Sequence, residues 1–422
     1  MKFSYSKIFL LGFGFFGVSV IWTTYNSFVP LFLANKFALD VRWIAFFMTL
    51  DNIAALFIQP PVGAWSDRLR TPIGRRMPFI LIGAPVAAVA FGLIPLASLL
   101  PLFSACTISM LLSMAFWRTP VVALMPDVTP SQYRSQANGI INFMGGFGAI
   151  IGTLGGAALY KMNPAYPFWL GSALLILATA LVFLFVKEPR EYEKPAEGSA
   201  SLFAALANLW HDFRSLFEAA DKSALRILGA IFFWFVAYNA IEAFFTLYAQ
   251  NQLGLPGSDG ARLLGQLSLF FVIFALPSGY IGARLGRRTT ILTGIALMSA
   301  CMLAMFFLPK GTLLIQITKL PVLGVVPVIG LILMAAGASW ALINVNSLPM
   351  VVDMTENARV GTYTGLYYLF STLAAIAGPN INGWIIALTG NNYNLVMIVG
   401  PVFMAIAALC MLGVRRGEAQ TS

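Results

Sequence analysis

Charge is what this chain lacks first. Of its 422 residues only 10% are Asp, Glu, Lys or Arg, 59% are hydrophobic, and the mean hydropathy is +0.82. A domain whose surface faces water carries far more charge, so a soluble globular protein is excluded. Histidine is nearly missing too. The one copy, His211, lies in a polar stretch where a solvated surface imidazole is the simplest reading. Cys106, Cys301 and Cys410 all sit inside apolar runs without C-x-x-C spacing. That excludes a disulfide framework and a cysteine metal site, and no metal or cofactor is indicated. H-E-x-x-H, G-x-S-x-G and P-loop sequences are absent, and nothing points to an enzyme. The net charge of +10 would suggest nucleic acid in a soluble chain. In one this apolar it reads as loop charge that sets membrane orientation, and no nucleic-acid partner is expected.

What is abundant is apolar run length. Runs long enough to cross a bilayer as helices fall near 8–34, 41–64, 77–98, 101–126, 136–160, 167–187, 224–250, 261–283, 289–308, 322–352, 360–388 and 392–414. The first, within "MKFSYSKIFLLGFGFFGVSVIWTTYNSFVPLFLA", is too long for a signal peptide and has no small-residue cleavage site, so it is read as a retained span. With both termini placed in the cytoplasm, the inside segments hold 19 of the 26 Lys and Arg. The outside loops hold six (Lys36, Arg42, Lys161, Arg262, Lys310 and Lys319), and Arg118 is left within a span. That bias predicts a multi-pass protein of the cytoplasmic membrane with both ends inside and membrane lipid as a partner.

Residues 188–222 form the one long polar stretch. They divide the chain into a six-span bundle over 1–187 and a second bundle with a short tail over 223–422. Leu202, Phe203, Leu206, Leu209, Trp210, Phe213, Leu216 and Phe217 recur at helical spacing and predict an amphipathic helix on the membrane face. The two halves repeat. Tyr25-Asn26 answers Tyr238-Asn239, Pro61-x-Gly63 answers Pro277-x-Gly279, and Gly74-Arg75-Arg76 answers Gly286-Arg287-Arg288. Asp127, Thr129, Gly139 and Gly152 answer Asp353, Thr355, Gly365 and Gly378 at one constant offset. The matches run in the same order and direction. They predict an all-α membrane protein of twelve transmembrane helices in two parallel six-helix repeats. Gly148, Gly152 and Gly156, four apart, form a helix-association pattern that serves an oligomer or one bundle equally well.

The loop "WSDRLRTPIGRR" sets Asp67, Arg68, Arg70, Arg75 and Arg76 between spans two and three. Gly63 lets a neighbouring helix approach, and Asp67 can meet a helix N-terminus or an arginine of the other half. The arginines hold the loop at an anionic leaflet. This is a gate or latch, or a topology signal alone. The gate set is Gly63, Asp67, Arg68, Gly74, Arg75, Arg76, Asp127 with Arg134, Arg287, Arg288, and Asp353 with Arg359. Ala283 stands where the second copy would carry Asp67, so the latch is expected to be stronger in the first half. Asp127 and Asp353 have a second reading, as caps of the following helices.

Gly63-x-x-x-Asp67-Arg68 followed by Gly74-Arg75-Arg76 resembles the signature loop of the major facilitator superfamily. "QPPVGAWSDRLRTPIGRRMPFILIG" (59–83) resembles the sucrose-type disaccharide–proton symporters, and "TPVVALMPDVT" (119–129) resembles the glycoside–pentoside–hexuronide cation symporters. The glycoside group places acidic cation ligands on spans two and four, where this chain has Gln59 and Arg118. The sucrose-type group has an arginine near the end of span four, where this chain has Val122. The resemblance implies a secondary transporter working by alternating access, with a sugar as small-molecule substrate and the proton as coupling ion.

An ionisable residue inside a span is costly and marks function by default. Asp51 lies about 22 Å from the far end of span two at 1.5 Å per residue, with Ala55 and Gln59 on its face of the helix. Arg118 lies about 13 Å up span four from Asp127, and Glu242 well into span seven. Burial raises a carboxyl pKa and a nearby arginine lowers it, so Asp51, Glu242 and Arg118 form the proton-coupling set; static ion pairs are the alternative. Sugar sites combine hydrogen-bonding side chains with aromatic faces. The resemblance implies that spans one, four, seven and ten line the cavity. They supply Trp22, Tyr25, Asn26, Trp117, Arg118, Tyr238, Asn239, Glu242, Trp340, Asn344 and Asn346. Gln59, Asn138, Asn142, Tyr363, Tyr367 and Asn380 extend the set. Many polar groups and few charges suit a neutral polyol. The competing readings are a drug–proton antiporter, a lipid transporter and an uncoupled facilitator. A receptor or structural role leaves Asp51 and Arg118 without a purpose.

Overall fold

The computed structural model describes residues 5–129, 134–188, 221–321, 323–354 and 360–418. The predicted amphipathic helix, His211 and Arg359 lie outside these residues. Twelve helices among them are long and apolar enough to cross a membrane. They run Ser6–Asn35, Val41–Arg68, Met77–Leu96, Leu100–Met125, Ile140–Met162, Tyr166–Phe185, Ser223–Asn251, Gly257–Leu285, Arg287–Phe307, Val328–Val352, Tyr363–Leu388 and Tyr393–Leu412.

The helices form two compact units. The described part of the first is 5–38 and 50–188; that of the second is 39–49 and 221 onward. In the first unit, span one packs on five and six, three on four and six, and two on four. In the second, seven packs on eleven and twelve, nine on ten and twelve, and eight on ten. The pairings correspond one for one, as a duplicated half requires.

Glycine makes the tightest of these contacts. A Cβ on Gly148 would lie 2.5 Å from the Phe16 carbonyl oxygen, and Gly145, Gly152 and Gly156 meet Ser19, Thr23 and Phe28 of the same span one. The glycine row of span five therefore serves packing inside its own unit, which decides a choice that spacing left open. The repeat preserves the contact. Gly152 faces Thr23 and Gly378 faces the backbone of Val236, so partners match on both sides. Span five also widens into a π turn over Ile151–Gly155.

Two spans differ from the sequence expectation. Span two is not one straight helix. A short helix, Val41–Phe47, is capped by Asp40, which accepts from the Arg42 N–H at 2.9 Å, and a longer one runs Leu50–Arg68. The break falls where Thr49 Oγ1 donates to the Phe46 carbonyl at 2.7 Å, a side-chain bond that competes with the helical ladder. Residues 39–49 pack within the second unit. Gly383 lets span eleven close on Ala45, the Arg42 guanidinium lies 5.1 Å from the Trp384 ring centre, and Asn380 Nδ2 donates to Thr49 Oγ1 at 3.2 Å. The hydrogen bonds from Arg42 hold the Asp40 carboxyl below the usual carboxylate range.

Span ten begins at Val328, not at 322. The residues before it form an antiparallel hairpin of β1 (Gln316–Leu320) and β2 (Gly324–Pro327). An apolar run with β-branched residues reads equally as helix or strand. Here Gly324 takes φ +67° at the turn, and the buried Gln266 amide donates to the carbonyls of Leu323 and Val325 at 3.3 Å.

Overpacking a close helix contact costs about 1–3 kcal/mol. Gly378→Val is expected to lower the unfolding midpoint in detergent by several degrees. Gly311→Ala, where a new Cβ meets nothing within 4 Å, is expected to leave it unchanged. A scanning fluorimetry series checks both.

Candidate functional site

The charged loop folds into a clamp within the first unit. Gly74 takes φ +114°, a conformation open to glycine, and turns the chain so that Arg75 and Arg76 precede span three. Asp127, at the end of span four, accepts from both: Arg76 Nε at 3.0 Å and Arg75 Nε at 3.2 Å. Arg76, 5% exposed in its side chain, also pairs with Asp67 and donates to Ser66 Oγ. Asp67 is thus held by Arg76, the residue that caps the start of span three, which matches the helix-start branch of the expectation. Arg68 is exposed beside it. Gly63 sits against Thr119 of span four, as a close-approach residue should.

A residue that the sequence reading missed completes the clamp. Glu188, just past span six, accepts from the backbone N–H groups of Arg75, Arg76 and Met77. Those groups open span three and have no helical partner, so a carboxylate there satisfies them and complements the helix dipole. The second unit repeats the device. Gly286 takes φ +89°, Arg287 pairs with Asp353, and Glu418, past span twelve, accepts from the N–H groups of Arg287 and Arg288. The signal was in the sequence as a glutamate shortly after each sixth span, obscured because the intervals differ.

The two clamps are unequal in burial and in their charged partners. With no Asp67 counterpart, Arg288 turns to the end of span twelve and donates to the Met411 and Leu412 carbonyls at 3.2 and 2.6 Å. The Arg287–Asp353 pair is also more open, with the aspartate side chain 41% exposed against 11% for Asp127. Arg134 opens the fifth-span helix, and its side chain lies outside the described set.

Inside the spans, Asp51 stands in the first turn of the Leu50–Arg68 helix and accepts from Asn52 Nδ2 at 2.8 Å. The break in span two puts it there. A carboxylate placed mid-span by length arguments thus lies at a helix start, where negative charge is stabilised. Tyr25 on span one is fully buried and close enough to Asp51 to interact electrostatically. Trp22 meets Tyr25 edge-on at 5.9 Å, and its buried Nε1 has no acceptor among the described residues. In the second unit Tyr238 interacts with Glu242 one turn along span seven. Its ring stacks on Trp340 of span ten, with centres 3.9 Å apart and planes 4° from parallel. Arg118 and Asn142 are exposed, while Asn26, Gln59, Asn344 and Tyr363 are half-buried. The side chain of Asn138 lies outside the described set.

Several of the expected contacts have partners within the protein. Trp117 is 1% exposed, lies against Gly83 of span three, and points Nε1 at Met114 Sδ at 3.2 Å. Asn346 ties span ten to span eight by donating to Ser278 at 3.2 Å, in the space a Gly282 side chain would fill. Asn239 donates to the Phe235 carbonyl one turn back at 2.7 Å. Tyr367 exchanges a 3.1 Å hydrogen bond with Ser347, and Asn380 holds Thr49. Without water, polar side chains between helices find protein partners, and spacing does not separate that use from ligand binding.

This architecture is that of a multi-pass helical membrane protein built from two repeated units. A family model described as the Major Facilitator Superfamily matches residues 11–339 and again 263–422, and the chain belongs to that family. It is 24% identical over 278 residues to "Multidrug resistance protein 2" of Bacillus subtilis, covering 66% of each chain. To "Tetracycline resistance protein, class B" of Escherichia coli it is 24% identical over 92% of each chain. To "General alpha-glucoside permease" of Schizosaccharomyces pombe it is 24% identical over 258 residues, covering 55% of this chain and 46% of that one. A point mutant of the nucleoside transporter NupG has the same fold, with TM-score 0.75 and 12% identity, over 97% of this chain and 100% of that one. The protein is accordingly an integral, multi-pass membrane protein.

Removing one partner of a buried ion pair leaves an uncompensated charge and costs about 3 kcal/mol or more, whereas an exposed pair contributes about 1 kcal/mol or less. Asp127→Ala, which removes the buried carboxylate that Arg75 and Arg76 share, is expected to destabilise the protein markedly. Asp353→Ala is expected to have a small effect. Thermal unfolding of the two variants side by side makes the comparison.

Proposed function

We propose that this protein is a proton-coupled secondary transporter that moves a sugar, a disaccharide or other glycoside, by alternating access. Its setting is the cytoplasmic membrane, with both termini in the cytoplasm, as the Lys and Arg asymmetry supports. The observation that carries the reading is a carboxylate beside a buried tyrosine in each unit: Asp51 with Tyr25, and Glu242 with Tyr238. A coupling group must gain and lose a proton as its surroundings change. With no histidine in any span, the carboxylates are the groups suited to this, and Arg118 is the third ionisable member of the coupling set.

The sugar rests on a second set of features. In the second unit the Tyr238–Trp340 stack is an aromatic surface, and in the first unit the buried Trp22 Nε1 has no acceptor among the described residues. Asn26, Asn142 and Asn344 supply neutral polar groups, and the resemblance of 59–83 to sucrose-type symporters agrees with them.

Export of an apolar drug by proton exchange is the second reading. It is favoured by the use of Trp117, Asn346, Tyr367 and Asn380 in packing, which leaves fewer polar groups for a polyol.

Uptake of labelled sucrose, maltose and glucose into proteoliposomes, with and without an inward proton gradient, tests the proposal. Accumulation that rises with the gradient is expected. Uptake indifferent to the gradient makes the protein a facilitator, and no uptake of any sugar moves the drug reading to the front. Asp51→Asn is expected to abolish gradient-driven accumulation while exchange partly survives; wild-type accumulation in that variant removes Asp51 as the carrier. Arg118→Ala is expected to impair both affinity and coupling, read as a raised KM and a lowered accumulation ratio.

A further inference from the structure

Span two is fastened to a different unit at each end. Its leading piece, Val41–Phe47, buries Val41, Ile44, Ala45 and Phe47 and runs along span eleven. The Arg42 guanidinium lies over the Trp384 ring, Ala45 fills the space a Gly383 side chain would need, and Thr49 Oγ1 accepts from Asn380 Nδ2 at 3.2 Å. Arg42, Ala45 and Thr49 are three and four apart, the spacing of one helical face. They meet Trp384, Gly383 and Asn380 in descending order, as antiparallel neighbours do. Asp40, which caps this piece, is close enough to Tyr393 at the start of span twelve to interact electrostatically. The trailing piece, Leu50–Arg68, is fastened to the first unit. Gly63 meets Thr119 of span four, and Ser66 accepts from Arg76. Trp65 packs edge-on against Phe79 of span three and Phe116 of span four, with ring centres 5.0 and 6.1 Å away.

Met48 and Thr49 lie between the two pieces. The Met48 N–H donates to the Ile44 carbonyl at 2.9 Å and ends the leading helix. The N–H and the hydroxyl of Thr49 both donate to the Phe46 carbonyl, at 3.0 and 2.7 Å. A bond three residues back closes a tighter ring than the α-helical bond four residues back. The boundary between the two units falls at the next peptide, between Thr49 and Leu50. Hinges are short stretches at element ends that absorb a change in φ and ψ, and this turn joins two helices that are each held elsewhere.

We propose that Met48 and Thr49 form a hinge in span two. The leading piece moves with span eleven as part of the second unit, and the trailing piece moves with the first. The Thr49 hydroxyl is the fixed point, because this one group bonds both the end of the leading helix and Asn380 of span eleven. Relative motion of the units then bends span two at this turn. The first turn of the trailing helix, which carries Asp51, is the segment that the bend reorients. Hydropathy instead gives span two as one helix that moves whole with the first unit. The inference uses neither the sugar nor the proton proposed above.

Double electron–electron resonance on the full-length protein in lipid nanodiscs, at acid and at neutral pH, separates the two. Spin labels are placed in pairs on Trp43→Cys in the leading piece, Met162→Cys at the end of span five and Phe307→Cys at the end of span nine. All three positions are exposed, and Cys106, Cys301 and Cys410 are replaced by Ala. The 162–307 pair reports the units against each other and is expected to give a broad or shifting distance distribution. The 43–162 pair is expected to vary with it, while the 43–307 pair keeps one narrow peak. A narrow 43–162 peak beside a varying 43–307 distance overturns the hinge, since span two then moves whole with the first unit. Variation of both pairs that include position 43 overturns it too, because the leading piece then follows neither unit. Three narrow, unchanging distributions also overturn it, because no bend then occurs at Thr49. Thr49→Val keeps the branched shape and loses the hydroxyl, and it is expected to split or broaden the 43–307 peak. Thr49→Ser is expected to leave that peak narrow. An unchanged peak in Thr49→Val overturns the role of Thr49. Should Thr49→Val misfold, Asn380→Ala removes the same bond from the side of span eleven and is read in its place.

Discussion

A bilayer offers no water to a backbone N–H or a side-chain amide, and each polar group inside it must find a partner in the protein. The internal organisation of both units follows from this constraint. Asn346 reaches across to Ser278, Gln266 holds the strand before span ten, and glycines bring helices within reach of each other's carbonyls. The same requirement reappears at the ends of the spans, where unpaired N–H groups of a new helix meet a carboxylate. Glu188 and Glu418 do this at the starts of spans three and nine. Arginines that would otherwise repel one another then share Asp127 or pair with Asp353.

The two repeats carry the same device in unequal copies. Where the first unit keeps Asp67, Arg76 is locked by two carboxylates and a hydroxyl. Where the second has Ala283, Arg288 turns to the last carbonyls of span twelve. Both solutions satisfy the arginine, but the first is more buried and has more charged partners.

The break in span two shows how a local feature repositions a charged side chain. At the break the Phe46 carbonyl accepts from both the backbone N–H and the hydroxyl of Thr49. The chain restarts at Leu50, and Asp51 becomes a first-turn residue beside Tyr25. A carboxylate that hydropathy places along a continuous helix is instead at a helix start, with a phenol and an amide for neighbours.

Twelve spans, the two repeats and the charged loop were legible because hydrophobic run length, repeat order and charge asymmetry are one-dimensional properties. Run length follows from bilayer thickness and needs no knowledge of packing. The hairpin before span ten and the π turn in span five were not legible, since apolar residues at those positions suit more than one backbone. The candidate site was half legible. Residue type marked Tyr25, Asp51, Tyr238 and Trp340, which the structure gathers into two groups, and it equally marked Trp117 and Asn346, which the structure uses between helices. Chemistry that suits a ligand also suits a neighbouring helix. Which of the two a side chain meets depends on the direction it faces, and helix rotation and packing set that direction through contacts with residues far away in the chain.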